Sequence, residues 1–109
     1  DGTGVRDYLH VSDIALGHLM ALRYLKNLNG FETFNLGAGR GYSVLEIIKI
    51  FESANNLSIP YKFVQNRQGD VGETFADIKK AKKYLGFSTK YTVEEACRDS
   101  WKYILNKKK

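Results

Sequence analysis

Phe31 to Leu36 is a short, aromatic, β-prone run that leads straight into Gly37-Ala38-Gly39-Arg40-Gly41, and a helix signal follows at once. A strand, a glycine turn and a helix in this order resemble one strand of a parallel sheet. Such strands are buried between paired neighbours. The rest of the chain offers few strands to supply them, so the expected partners lie upstream of Asp1. The opening Asp1-Gly2-Thr3-Gly4 agrees with this, because it lacks an initiator Met and reads like mid-protein sequence. The expectation is a piece of a longer protein.

The remaining signals divide the chain into alternating helices and short extended segments. Val5 to Val11 mixes apolar and polar residues and is rich in Val and Tyr, which predicts an extended segment. Ser12 or Asp13 then caps a helix whose apolar positions Ile14, His18, Ala21, Leu22 and Leu25 recur at helical spacing. Asn29-Gly30 ends that helix. Ser43 and Glu46 form a capping box, with Val44, Ile47, Ile48 and Phe51 as an apolar stripe, up to Asn55-Asn56. Pro60 opens a short strand with Tyr61 and Phe63 on one face, and Asn66 to Gly72 is a loop. Asp77 caps a helix with Ile78, Ala81 and Leu85 inward, closed by Gly86. Thr92 and Glu95 make a second capping box, for a helix with Val93, Cys97, Trp101 and Ile104 inward. Four helices with three short extended segments predict an α/β class (an α+β fragment) rather than a bundle.

Charge and composition exclude some functions. No apolar run approaches the ~20 residues of a membrane span, so no membrane partner is expected. The formal charge is +5, and Lys107, Lys108 and Lys109 supply more than half of it as a basic tail. A basic nucleic-acid-binding module is compatible with this charge and with seven tyrosines. Its aromatics, however, fall at core spacings and not as a stacking platform. A single cysteine, Cys97, forms no internal disulfide and suits a reducing cytosol.

Few residues can carry chemistry. The glycines at 37, 39 and 41 do not make a dinucleotide fingerprint, because Tyr42 occupies the third required position. A tight turn accounts for them. His10 and His18 lack companions for a metal site, and Ser12 near His10 has no third group for a triad. His10 with Asp13 reads as a structural hydrogen bond. Two arginines differ. Arg6 sits in an otherwise apolar, β-prone stretch, and Arg67 in the loop Asn66-Arg67-Gln68-Gly69-Asp70. A guanidinium presents a planar fork of donors that matches phosphate oxygens, so two converging arginines suit a diphosphate. Asp70 can accept hydrogen bonds from sugar or ribose hydroxyls, or simply pair with Arg67.

Asp1-Gly2-Thr3-Gly4-Val5-Arg6-Asp7-Tyr8-Leu9-His10-Val11 closely resembles a signature stretch of UDP-glucose 4-epimerases. The likeness continues through Asp13-Ile14-Ala15, Gly17-His18, Phe34 to Gly39, Gly41 to Glu46, Arg67-Gln68-Gly69-Asp70, Ala76-Asp77 and Asp99-Ser100-Trp101. The resemblance implies the C-terminal substrate-binding part of an extended short-chain dehydrogenase/reductase, residues 1–109 being a UDP-sugar-binding region. Phe34 to Leu36 would join the Rossmann sheet of an absent N-terminal domain that binds NAD. The family reaction interconverts UDP-glucose and UDP-galactose through a 4-keto sugar. Its catalytic and cofactor-binding residues would all precede Asp1. By position, Arg6 and Arg67 would hold the diphosphate and Asp70 a ribose hydroxyl. Gln68 and Gly69 would shape the loop, and Tyr8 would support Arg6.

Thr74 matches a position that lines the hexose pocket in this family. A bulky Tyr there goes with strict glucose/galactose use, whereas a small residue leaves room for an N-acetyl group. Acceptance of UDP-N-acetylhexosamines is therefore expected, unless Phe75 fills the space. A cytoplasmic enzyme, with a homodimer as one form of assembly and no nucleic-acid partner, completes the expectation. The alternatives are a 4,6-dehydratase or uronate decarboxylase of the same superfamily.

Overall fold

A computed structural model describes residues 1–107. Lys108 and Lys109, most of the expected basic tail, lie outside the described residues. In chain order come β1 (Val5–Arg6), α1 (Val11–Tyr24), a 3-10 turn (Leu25–Asn27), β2 (Tyr42–Ser43), α2 (Val44–Asn55), α3 (Lys79–Leu85) and α4 (Val93–Lys107). This is the expected mixed architecture with its four helices.

The hub is β1. It pairs antiparallel with β2, Val5 opposite Ser43 and Arg6 opposite Tyr42. On its other edge Val5 bridges Glu73 in parallel: the Val5 N–H donates to the Gly72 carbonyl and the Thr74 N–H to the Val5 carbonyl, both at 2.9 Å. Two helix pairs flank this ribbon. α2 packs on α4, where the Phe51 and Trp101 rings meet edge-on at 6.0 Å, and α1 packs on α3. Ala81 and Phe87 are fully buried and Cys97 nearly so. The radius of gyration is 16.5 Å, against roughly 13 Å for a compact domain of about this length. The chain is therefore more extended than a single-core domain, with α1–α3 and α2–α4 as its helix pairs.

Helix ends follow the local signals closely. The Ser43 hydroxyl accepts from the Glu46 N–H at 3.1 Å, although among the described residues the return bond from Glu46 is absent. Thr92 and Glu95 complete their box in both directions, each bond 3.1 Å. Asn56, at φ 52°, and Gly86, at φ 70°, close α2 and α3 in the left-handed conformation. Asp77 stands one residue outside the N-cap Ile78, and its carboxylate accepts from the Lys79 N–H.

Four expectations need correction. The extended segment from Val5 is a strand only to Arg6, and helix α1 begins at Val11 itself. Its cap is neither Ser12 nor Asp13 but His10, whose ring nitrogen Nδ1 accepts from the Ser12 N–H at 2.9 Å. The inward face of α1 is also not the apolar stripe. Asp13 and Gly17 are buried, whereas Ile14, Leu22 and Leu25 are exposed. Counting apolar residues misses a face built round a carboxylate and a glycine. A Cβ on Gly17 would stand 2.5 Å from Leu36 Cδ1, so only glycine admits Leu36 there.

The expected strand after Pro60 is not formed, whereas Phe31 to Leu36 has, as expected, no partner strand among the described residues. Phe31 is exposed, while the Phe34 ring meets Tyr24 edge-on at 5.6 Å. A strand needs ladder partners, and α1 and α3 supply side chains instead. The run after Pro60 is likewise irregular, although Tyr61 and Phe63 do share a face, 5.8 Å apart.

Candidate functional site

An open cleft of about 500 Å³ lies along β1, lined by Arg6, Asp7, Phe34, Leu36, Thr74 and Phe75. Its two sides come from distant parts of the sequence, and the Val5–Glu73 bridge holds them side by side. Arg6 and Thr74, singled out separately in the sequence, therefore share one cleft. The Arg6 guanidinium folds back so that Nη1 donates to the Val5 carbonyl at 2.7 Å. That leaves most of its donor fork uncommitted. Thr74 is exposed, and Phe75 is half-exposed with its ring edge beside Gly41.

The second arginine lies on the loop that leads into this edge. Arg67 Nε donates to Asp70 Oδ2 at 2.8 Å and Nη2 to Oδ1 at 3.3 Å. The loop turns at Gly69, φ 86°, with the Asp70 N–H on the Arg67 carbonyl. Gln68 and Gly69 form its tip, and all four residues are exposed. An exposed pair of this kind contributes only ~0–1 kcal/mol. It can open for a ligand at little cost, and Nη1 of Arg67 takes no part in it.

Tyr8 does not support Arg6. It lines a separate cleft of about 350 Å³ with His10, Arg40, Tyr42 and Tyr91, because the strand ends at Arg6 and the i, i+2 alternation that would put both residues on one face does not continue to Tyr8. His10 bonds not to Asp13 but to Asp99 of α4, Nε2 to Oδ2 at 2.8 Å, and stacks on Tyr91 at 4.3 Å. Since Nδ1 already accepts from Ser12, the Nε2–H donates to Asp99. Asp13 turns inward and accepts the N–H groups of Lys90 and Tyr91, at 3.0 and 3.2 Å. Burial, and then the charge of Glu94, push the Cys97 thiol up from its usual range, so this cysteine is an inert core residue.

The residue that sequence reasoning passed over is Asp7. Its Oδ1 accepts from the Ala38 N–H at 2.9 Å; its Oδ2 accepts from Gly39 at 3.0 Å and Ala76 at 3.2 Å. A carboxylate inside a β-prone stretch was the available signal, because it must find N–H partners when the stretch packs. The glycine turn is built to admit it. Gly39, at φ 78°, makes the turn itself, whereas a Cβ on Gly37 would stand 2.5 Å from Asp7 Oδ2 and 2.7 Å from Ala76 Cβ. The Gly37 side of the turn is thus already filled by Asp7 and Ala76.

A family profile described as GDP-mannose 4,6 dehydratase matches residues 1–100. The chain belongs to that family. Within it, the chain is 50% identical over 103 residues to the UDP-glucose 4-epimerase of Bacillus subtilis (strain 168), covering 94% of this chain and 30% of that one. A solved UDP-glucose 4-epimerase from Stenotrophomonas maltophila, with bound NAD and formylated UDP-arabinopyranose, superposes with a TM-score of 0.94 at 42% identity. That match covers 99% of this chain and 32% of the other. The enzyme from Bifidobacterium longum, in complex with NAD+ and UDP, gives 0.89 at 41% identity over 97% of this chain and 31% of its own. The family member described here therefore spans about a third of the length of the curated relatives it matches. The likeness to UDP-glucose 4-epimerases read from Asp1–Val11 and the later motifs extends over nearly the whole chain. Among the described residues no helix is long and apolar enough to cross a membrane.

Proposed function

We propose that residues 1–109 are the C-terminal UDP-sugar-binding region of a UDP-glucose 4-epimerase that interconverts UDP-glucose and UDP-galactose through a 4-keto sugar. The observation that carries this reading is the Val5–Glu73 bridge, which sets Arg6 beside the segment that runs on from Arg67 and Asp70 to Thr74. In this reading Arg6 and Arg67 grip the diphosphate. Arg67 offers Nη1 while its Nε and Nη2 still hold Asp70, and Asp70 presents its remaining lone pairs to a ribose hydroxyl. Gln68 and Gly69 keep the loop tip narrow enough for the nucleoside to lie against it.

NAD belongs to a preceding Rossmann domain, in keeping with a glycine turn here already filled by Asp7. The intact enzyme is a cytoplasmic homodimer with no nucleic-acid partner. Alone, residues 1–109 bind UDP weakly and epimerise nothing.

The hexose side of the cleft is where Thr74 lies, small and exposed. We read it as room for an N-acetyl group, so UDP-N-acetylhexosamines are substrates too. The full-length protein assayed with UDP-galactose and UDP-N-acetylgalactosamine tests both statements. It should turn over both sugars, and Thr74→Tyr should lower the N-acetyl to plain ratio about tenfold, the scale of a lost pocket contact. No turnover of UDP-galactose would refute the epimerase reading. An unchanged ratio in Thr74→Tyr would refute only the pocket assignment.

A further inference from the structure

The backbone ladder between β1 and residues 72–76 changes character beyond its first two bonds. Gly72 accepts from Val5, and Val5 accepts from Thr74, as a parallel pair requires. Continued, that ladder would run from the Asp7 N–H to the Thr74 carbonyl and then from the Ala76 N–H to the Asp7 carbonyl, two residues beyond Val5. The Ala76 N–H instead donates to the Asp7 side chain, at 3.2 Å. With its other lone pairs the same carboxylate takes Ala38 and Gly39. One side chain therefore ends the ladder and ties the glycine turn to the segment bearing Thr74.

Both walls of the cleft hang on this group. Arg6 precedes it in the chain, and Thr74 lies two residues from Ala76. Gly37, immediately before Ala38, could carry no Cβ without meeting Asp7 Oδ2 and Ala76 Cβ. The junction thus has no slack from either direction. A carboxylate that accepts several N–H groups has a fixed orientation, and it fixes the segments that donate to it.

We propose that Asp7 is a positioning residue for UDP-sugar binding, setting the separation of the Arg6 and Thr74 walls through its bonds to Ala38, Gly39 and Ala76. The inference rests on the UDP-sugar reading above and extends it to a residue that need not touch the ligand. Asp7→Asn keeps the size of the side chain but puts an amide NH2 against at least one N–H donor. The wall that loses its bond then moves outward, and the grip on the diphosphate and the hexose loosens. Chemistry at the sugar, carried by groups outside these residues, is affected less.

The test is steady-state kinetics of the full-length enzyme with UDP-galactose and UDP-N-acetylgalactosamine, alongside thermal melting. Asp7→Asn should raise KM for UDP-galactose about tenfold, with kcat within about threefold, and should shift the N-acetyl to plain ratio. Gly37→Ala, which presses on the same junction, should raise KM similarly, and the double variant should be no worse than the poorer single one. Unchanged KM and ratio in a folded Asp7→Asn enzyme would overturn the inference. So would equal losses in kcat and in KM-dependent efficiency tracking a fall in Tm, with additive single variants, since that pattern marks a purely structural role. If neither variant folds, hydrogen exchange of the wild type decides. Adding UDP should slow exchange in peptides covering 37–40 as well as 74–78, and protection confined to 74–78 overturns the inference. A wild type that binds no UDP-sugar at all defeats the reading beneath it and is seen before any variant is made.

Discussion

The β1–α1 junction and the Asn66–Asp70 loop each carry acidic and basic groups, yet they use them in opposite ways. In the junction the partners are remote. Asp7 reaches N–H groups 31, 32 and 69 residues away, and Asp13 reaches 77 and 78. His10 reaches Asp99, 89 residues away. In the loop Arg67 and Asp70 bond each other across three residues, in solvent. A carboxylate committed to backbone N–H donors of packed segments cannot turn to a ligand without giving up those bonds, a cost of up to about 1–3 kcal/mol each where the donor is shielded from water. An exposed ion pair can. The difference separates groups that build the site from groups that are available to grip.

The largest effect should come from the buried side of that comparison. Asp13→Ala removes the acceptor of two backbone N–H groups at a position only 1% exposed. A loss of about 3 kcal/mol in urea unfolding is expected. A loss under ~0.5 kcal/mol, the range of ordinary surface changes, would show that the junction is not what holds α1 to the approach to α4.

Arg67→Ala is the mirror experiment. Its stability should stay within about 0.5 kcal/mol of wild type, while UDP affinity of the full-length protein by calorimetry should fall about tenfold or more, as for a charge-assisted phosphate contact. A variant that unfolds more easily yet binds UDP normally would reverse the roles assigned to the two regions.

The smallest effect should come from a second surface pair, Lys80 with Glu32. The hydrogen bond from Lys80, then that from the Thr33 N–H, hold the Glu32 carboxyl below its usual range. A lowered carboxylate stabilises the fold above its unfolded pKa, and the contribution fades as pH falls through the folded one. Because the pair is solvated, Lys80→Met should move the Glu32 titration upward by NMR without a measurable change in Tm. A clear fall in Tm near neutral pH would mean that exposed pairs here are not cheap to open, which would weaken the case for the Arg67–Asp70 loop.

Legibility of the site followed the same divide. Arg6, Arg67 and Asp70 stand out as residue types because charge in a loop, or a lone arginine in an apolar stretch, is conspicuous in one dimension, whereas Thr74 is picked out only by the likeness to UDP-glucose 4-epimerases. Asp7 does not stand out, since its meaning lies in three donors from two other segments. Tyr8 lies in a different cleft from Arg6 because the strand that would keep i and i+2 on one face ends at Arg6. His10 is expected from the sequence to bond Asp13, and is instead both a helix cap and a brace to α4.

What the sequence by itself determined were the events completed within one turn of chain. The caps at Ser43 and Thr92, the left-handed stops at Asn56 and Gly86, and the turn at Gly39 depend on bonds or dihedrals among neighbours. Only the tertiary structure decided which face of α1 turns inward and that the run after Pro60 forms no strand. It alone brought Arg6 alongside Thr74. The first and last of those outcomes depend on Leu36 meeting Gly17 and on backbone donors tens of residues from their acceptors, contacts that no local pattern of polarity encodes.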